Sequence, residues 1–212
     1  NGNVYEPVLM GSGGSSSGGG AIKIEADTLT LNGQITADGN HGGWYLEGAA
    51  GGSVWLDVGT LNGAGTGTIT ADGGGGDRDT SGSGGRIAIY YTTDSIDIDT
   101  QLTNHMFHAY GRVNPNYNGL IGGPGTVYAE HVGENPEHEG SLYIYNNNQT
   151  GTGFPDELEG IDYYFDDVYI GSNVRIRCLV DTENDRSTVL HLSGNFTLGA
   201  GAQIVLGASG YS

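Results

Sequence analysis

Gly51-Gly52-Ser53-Val54-Trp55-Leu56-Asp57-Val58, followed by Thr60-Leu61-Asn62-Gly63 and by Ile69-Thr70-Ala71-Asp72-Gly73, decides how this chain is read. The same phrase stands one step earlier as Gly18-Gly19-Gly20-Ala21-Ile22-Lys23-Ile24-Glu25-Ala26, Thr28-Leu29 and Ile35-Thr36-Ala37-Asp38-Gly39. Ile22 to Val54 is 32 residues, and Ile35 to Ile69 is 34. A third copy opens 33 residues on at Gly84-Gly85-Arg86-Ile87-Ala88-Ile89, and a fourth 40 residues later at Gly123-Pro124-Gly125-Thr126-Val127-Tyr128. Self-similarity at such a period marks stacked copies of one supersecondary unit. Within each copy apolar and polar residues alternate, which is the pattern of a half-buried strand.

The period predicts that equivalent positions lie above one another. Ile22, Val54, Ile87 and Val127 then form one aliphatic ladder, and Ile24, Leu56 and Ile89 a second. Met106-Phe107-His108-Ala109-Tyr110-Gly111 takes the place of Ile-Thr-Ala-Asp-Gly in the third copy. The expected fold is all-β, a parallel β-solenoid whose glycine-rich loops (11–20, 39–52, 73–85 and 111–125) project from one edge. Residues 1–17 read as an N-terminal cap or linker, 18–146 as glycine-rich rungs, and 147–212 as further rungs broken off at the C-terminus. Residues 156–165 offer the one candidate helical turn, weakened by Gly160.

Composition narrows the class. Glycine is 41 of 212 residues, but with 5 prolines and no Gly-X-Y period collagen is excluded. The charge of −18, from 25 acidic against 7 basic residues, repels nucleic acid and anionic membrane surfaces. It favours hard cations, Ca²⁺ above all. No apolar run reaches the ~18–20 residues of a membrane span, so direct membrane insertion is not expected. Cys178, the one cysteine, shares strand parity with Val174, Ile176 and Val180 and reads as a buried apolar residue.

Residues 51–91, with Gly123-Pro124-Gly125-Thr126-Val127-Tyr128, resemble the glycine-rich repeat modules of very large secreted or surface proteins of bacteria. The resemblance covers about residues 11–146. It implies a right-handed parallel β-helix, a secreted or cell-surface location and a structural or adhesive role. It carries over no catalytic residue. The absence of an initiator methionine fits a processed chain or a segment of a longer one.

Candidate sites follow from chemistry. Asp94-Ser95-Ile96-Asp97-Ile98-Asp99, read as a strand, places Asp97 and Asp99 on one face, ~6–7 Å apart, where they could hold Ca²⁺. Asp181, Glu183 and Asp185 form an acidic turn with the same potential, though without the EF-hand pattern. Loops carry recognition, which singles out Trp44, Tyr45, Asp77, Asp79 and Tyr117 as ligand-binding candidates. Trp55 falls on the outward parity of its strand, in the slot of Lys23 and Ala88, where aromatics stack on sugars or pack beneath loops. His105 and His108, three apart in an expected strand, face opposite ways and make a poor zinc pair. Asn148-Gln149-Thr150 and Asn195-Phe196-Thr197 match glycosylation acceptors.

The functional expectation is a non-enzymatic extracellular structural or adhesive module, contacting a glycan or other copies of itself. One alternative is a self-assembling filament or sheath subunit, because uncapped sheet ends can pair. The other is a polysaccharide-active β-helix enzyme, lyase or glycoside hydrolase, using Asp166 and Asp167 near Arg175 and Arg177.

Overall fold

A computed structural model describes residues 3–43, 46–76, 81–112, 122–133, 140–149, 157–158, 162–178 and 188–206. In chain order the elements are β1 (Ala21–Thr30), β2 (Gln34–Thr36), β3 (Ser53–Asn62), β4 (Thr68–Thr70), β5 (Arg86–Asp94), α1 (Ile98–Thr103), β6 (Phe107–His108) and β7 (Thr126–His131). They continue as β8 (Ser141–Ile144), β9 (Glu157–Leu158), β10 (Asp162–Phe165), β11 (Val168–Ile170), β12 (Arg175–Cys178), β13 (Val189–Leu192), β14 (Phe196–Leu198) and β15 (Gln203–Leu206).

The repeat sets the register of the first half. β1, β3, β5 and β7 pair in parallel, with Ile22 against Val54, Val54 against Ile87, and Ile87 against Val127. Ile24, Leu56 and Ile89 align in the same way. A second parallel sheet, β2-β4-β6, stacks Ile35, Ile69 and Phe107. Inward residues of the two sheets meet in one core, which holds Leu56, Leu61, Ile69, Ile87, Ile89 and Phe107. Each such side chain contributes about 1.5–3 kcal/mol by leaving water.

The continuous right-handed parallel β-helix expected from the repeat is not what the chain forms. The described residues make several separate sheets, and the largest, β1-β3-β5-β7-β8-β11-β14, is mixed. β8 runs antiparallel to β7, with Tyr128 against Leu142. Gly140, immediately before β8, sits at φ 117°, a conformation that side chains avoid.

The reversal also moves the core. Tyr128 lies on the face opposite Val127, because strand residues alternate. Leu142 and Ile144 continue that opposite face, and so do Val168 and Ile170 in β11. A second core therefore sits on the other side of the same sheet, holding Tyr128, Leu142, Ile144, Phe165, Val168, Ile170 and Ile176. The small sheets β10-β13 and β15-β12-β9 supply its remaining wall. Spacing changes as well, from 32 between Ile22 and Val54 to 26 between Leu142 and Val168 and 28 between Val168 and Phe196.

The N-terminal segment closes the second core across the first half. Val4 is buried there, and the Tyr5 ring meets Tyr128 edge-on at 5.1 Å and stacks on Phe165 at 5.7 Å. The Tyr90 hydroxyl donates to the Tyr5 carbonyl (2.8 Å), and the Tyr5 hydroxyl to that of Tyr164 (3.2 Å).

Glycine makes the corner between the first two sheets. Gly52, Gly85 and Gly125 donate their N–H groups to the carbonyls of Ala37, Ala71 and Ala109, at 2.7, 2.6 and 2.7 Å. A Cβ on Gly52 would lie 1.8 Å from the Gly20 carbonyl oxygen, and one on Gly125 would lie 1.7 Å from that of Gly85. Gly20, first in the column, has open space beside it. Gly52→Ala is therefore expected to cost about 1–3 kcal/mol and to lower Tm by about 2–12 °C. Gly20→Ala should stay within about 0.5 kcal/mol of the parent. Thermal unfolding followed by circular dichroism reads both, and equal effects would overturn the close-approach account.

Candidate functional site

Chemistry-bearing side chains collect at the end of the β2-β4-β6 sheet. Asp38 closes the first Ala-Asp-Gly corner. Its carboxylate accepts from the Asp72 N–H (2.7 Å) and the Thr70 hydroxyl (3.0 Å) of the next rung. Asp72 repeats the arrangement one rung on, accepting from the Tyr110 N–H (2.7 Å) and from His108 Nδ1 (2.8 Å). His108 thus stands in the Thr70 slot, and Tyr110 in the slot of the aspartate. The Asp72–His108 pair is half-buried.

An aromatic cluster grows from that pair. The His108 and Tyr110 rings stack at 4.1 Å and 9°. Tyr145 meets Tyr110 edge-on at 5.6 Å, and His105 packs on Tyr145 at 4.1 Å. The Tyr145 hydroxyl donates to the Phe107 carbonyl, covering the free edge of β6. Burial, then Asp72, pushes the Tyr110 phenol upward, and burial does the same to Tyr145, so both remain neutral donors. Burial, and then His108, lowers the pKa of His105. The strand reading had set His105 and His108 on opposite faces. His105 instead sits at φ 58° in the turn before β6, which swings its ring into the same cluster.

Next along the edge, Asn146 is buried. It accepts from the Gly111 N–H (2.8 Å) and donates to the Gly122 carbonyl (3.3 Å). Asn147 and Asn148 follow in left-handed conformations. Asparagine tolerates these better than most residues, and the Asn146-Asn147-Asn148 run was the signal for this turn. Asn148 and Asn195, the acceptor asparagines, are exposed.

The second acidic group surrounds α1. Asp97 and Asp99 do not share a strand face. Asp97 is the N-cap of α1, at φ 53°, and its carboxylate accepts from the Thr100 N–H (3.3 Å) and hydroxyl (2.7 Å). Ile96 and Ile98 are both buried, so the alternation was real while the backbone was helical. Residues 157–158 and 162–165, within the stretch read as a helical turn, are strand. Thr100, through its hydroxyl and then its N–H, holds the Asp97 carboxyl below its ordinary value. Burial, then Asp97, Asp94 and Asp167, holds Asp99 above it. Burial, then Asp99 and Asp167, pushes the Tyr143 phenol up to about 12.

Trp55 keeps its outward parity but packs against the second core, with Lys23 Nζ 3.8 Å from its ring centroid. Asp166 accepts from the Ser193 hydroxyl (2.6 Å) and Asp167 from the Asn195 N–H (2.5 Å), while the Arg175 guanidinium donates to Gln203 (3.0 and 2.8 Å). Trp44, Tyr45, Asp77, Asp79, Tyr117, Asp181, Glu183 and Asp185 lie outside the described residues. Among the described residues no group of three or more His, Cys, Asp or Glu is arranged to hold a metal ion. No helix among them is long and apolar enough to cross a membrane. Comparison with protein-family models, curated proteins and solved structures finds no match.

The two aspartates at α1 give opposite pH responses. Asp97 has a depressed pKa, so its contribution is present above the ordinary value of 3.8 and is lost as pH falls through the lower folded value. Asp99 has a raised pKa, so its ionised form opposes folding at neutral pH. Asp99→Asn is expected to raise Tm by a few degrees at neutral pH. The gain should shrink to nothing as pH falls through the raised value toward 3.8, where the aspartate is already neutral. Asp97→Ala should lower Tm at neutral pH by about 2–4 °C. Melting curves of the two variants across this range check both signs.

Proposed function

We propose that this chain is a non-enzymatic extracellular structural or adhesive module that presents its corners and loops to a glycan. One observation carries the reading: Asp38, Asp72, Asp97 and Asp167 are hydrogen-bonded within the scaffold. Asp38, Asp72 and Asp167 each accept a backbone N–H from the next rung, and Asp97 caps α1. The bonds of Asp38, Asp72 and Asp167 fix the spacing of successive rungs. A general acid or base needs a carboxyl within reach of substrate protons, and these are spent on neighbouring strands.

The surface supports contact rather than turnover. His105, His108 and Tyr110, packed over the buried Tyr145, form an aromatic corner beside a carboxylate, and aromatic faces with polar rims suit sugar rings. The loops with Trp44, Tyr45 and Tyr117 are the other recognition candidates. The charge of −18 favours neutral or cationic glycans over polyanions. The likeness of the repeat phrases to secreted bacterial modules supports the extracellular location.

A glycan microarray, followed by incubation of each ligand found, tests this reading. A neutral oligosaccharide should be retained and recovered unchanged, with retention reduced about tenfold by Tyr110→Ala or by Trp44→Ala/Tyr45→Ala. A new reducing end or an unsaturated product would overturn the non-enzymatic reading.

A further inference from the structure

The seven-stranded sheet ends on β1, and that end is unfinished. Among the described residues β1 pairs with β3 on one side and is terminal on the other. Its inward residues occupy the core ladders, yet Ile22 is 45% exposed where its partner Val54 is 0%. Ile24, Ala26 and Leu29 are partly buried, while Leu56, Val58 and Leu61 beside them are fully buried. The strand is ten residues long and carries no proline, and its edge charges, Lys23, Glu25 and Asp27, are of mixed sign.

We propose that this edge pairs antiparallel with β1 of a second copy, about a two-fold axis at Ile24. The opposite end of the molecule does not fit it. There β14 and β15 are three and four residues long, against ten in β1. End-to-end stacking, the filament arrangement, leaves most of β1 unpaired. β1 does match itself in charge, and a two-fold at Ile24 pairs residues 21–27 with the same seven of the partner. Placing Ile24 opposite the partner's Ile24 sets Lys23 opposite the partner's Glu25, and symmetry makes that pair twice. Lys23 is the chain's only lysine, and it already lies 2.5 Å from Glu25 of its own strand. The register sets Ile22 opposite the partner's Ala26. Facing residues share parity, so the inward side chains of both copies stay on one side. The core of the first half then runs unbroken from one copy into the next.

Sedimentation equilibrium of the full chain, over a hundredfold range of concentration in physiological salt, tests the pairing. A reversible monomer–dimer equilibrium is expected. Lys23→Glu should weaken it about tenfold and Lys23→Glu/Glu25→Lys should restore it, with unchanged melting curves showing that each variant folds. Phe196→Asp/Leu198→Asp, at the opposite end, should leave the dimer intact. A monomer throughout, a dimer indifferent to the charge exchange, or growth into polymers that Phe196→Asp/Leu198→Asp abolishes would each overturn the proposal.

Discussion

Everything in the first half depends on one backbone contact, the glycine N–H of each rung donating to the alanine carbonyl at the end of the neighbouring sheet. Gly52 to Ala37, Gly85 to Ala71 and Gly125 to Ala109 are the same bond made three times. The sheets can approach this closely because neither residue has a long side chain. With a Cβ at the glycine, the carbonyl of the preceding rung would be within 2.0 Å. The glycine content is therefore concentrated where backbone meets backbone. Once the corner is fixed, the register of β1, β3, β5 and β7 follows, and the aliphatic ladders fall into line.

A second device finishes each corner. A side-chain acceptor in one rung takes a backbone N–H from the equivalent corner of the next: Asn32 from Ala64, Asp38 from Asp72, His41 from Gly75, Asp72 from Tyr110 and Asp167 from Asn195. A short side-chain acceptor satisfies a backbone N–H that has no partner in its own rung. Asp38, Asp72 and Asp167 thereby gain a structural role beyond solubility. The ladder also accounts for the Asp72–His108 pair. A histidine stands where threonine stood in the previous rung, and the same oxygen is shared.

The repeat made the register legible, because equal spacing and equal side chains point to one stacking. The exchange of core from one face to the other was not legible. Tyr128 and Val127 are both apolar, as are Leu142 and Tyr143, so alternation cannot say which face is buried. Gly140 and the shorter later spacing were the available signals. Around α1 the difficulty was of another kind. A strand and a capped single turn both bury Ile96 and Ile98, and only the left-handed backbone at Asp97 separates them. Asp94 offered a hint, since its carboxylate accepts from the Ile98 N–H (3.1 Å). At the aromatic corner, His108 and Tyr110 were legible as the degenerate third copy. The approach of His105 and Tyr145 depends on two turns that period-two reasoning does not describe.

The shared sheet has a mechanical consequence. In a simple stack each rung touches only its neighbours, and stability is nearly a sum of local terms. Here β5 and β7 place alternate residues in different cores: Ile87, Ile89 and Val127 in one, Ala88 and Tyr128 in the other. Loosening either core disturbs strands that the other requires. Tyr5 adds to the coupling, since it is bonded to Tyr90 in the first half and Tyr164 in the second. The two halves differ in strand direction, spacing and buried face, yet they share β5 and β7 as a common wall. That wall turns two short stacks, each with an unfinished end, into one cooperative body.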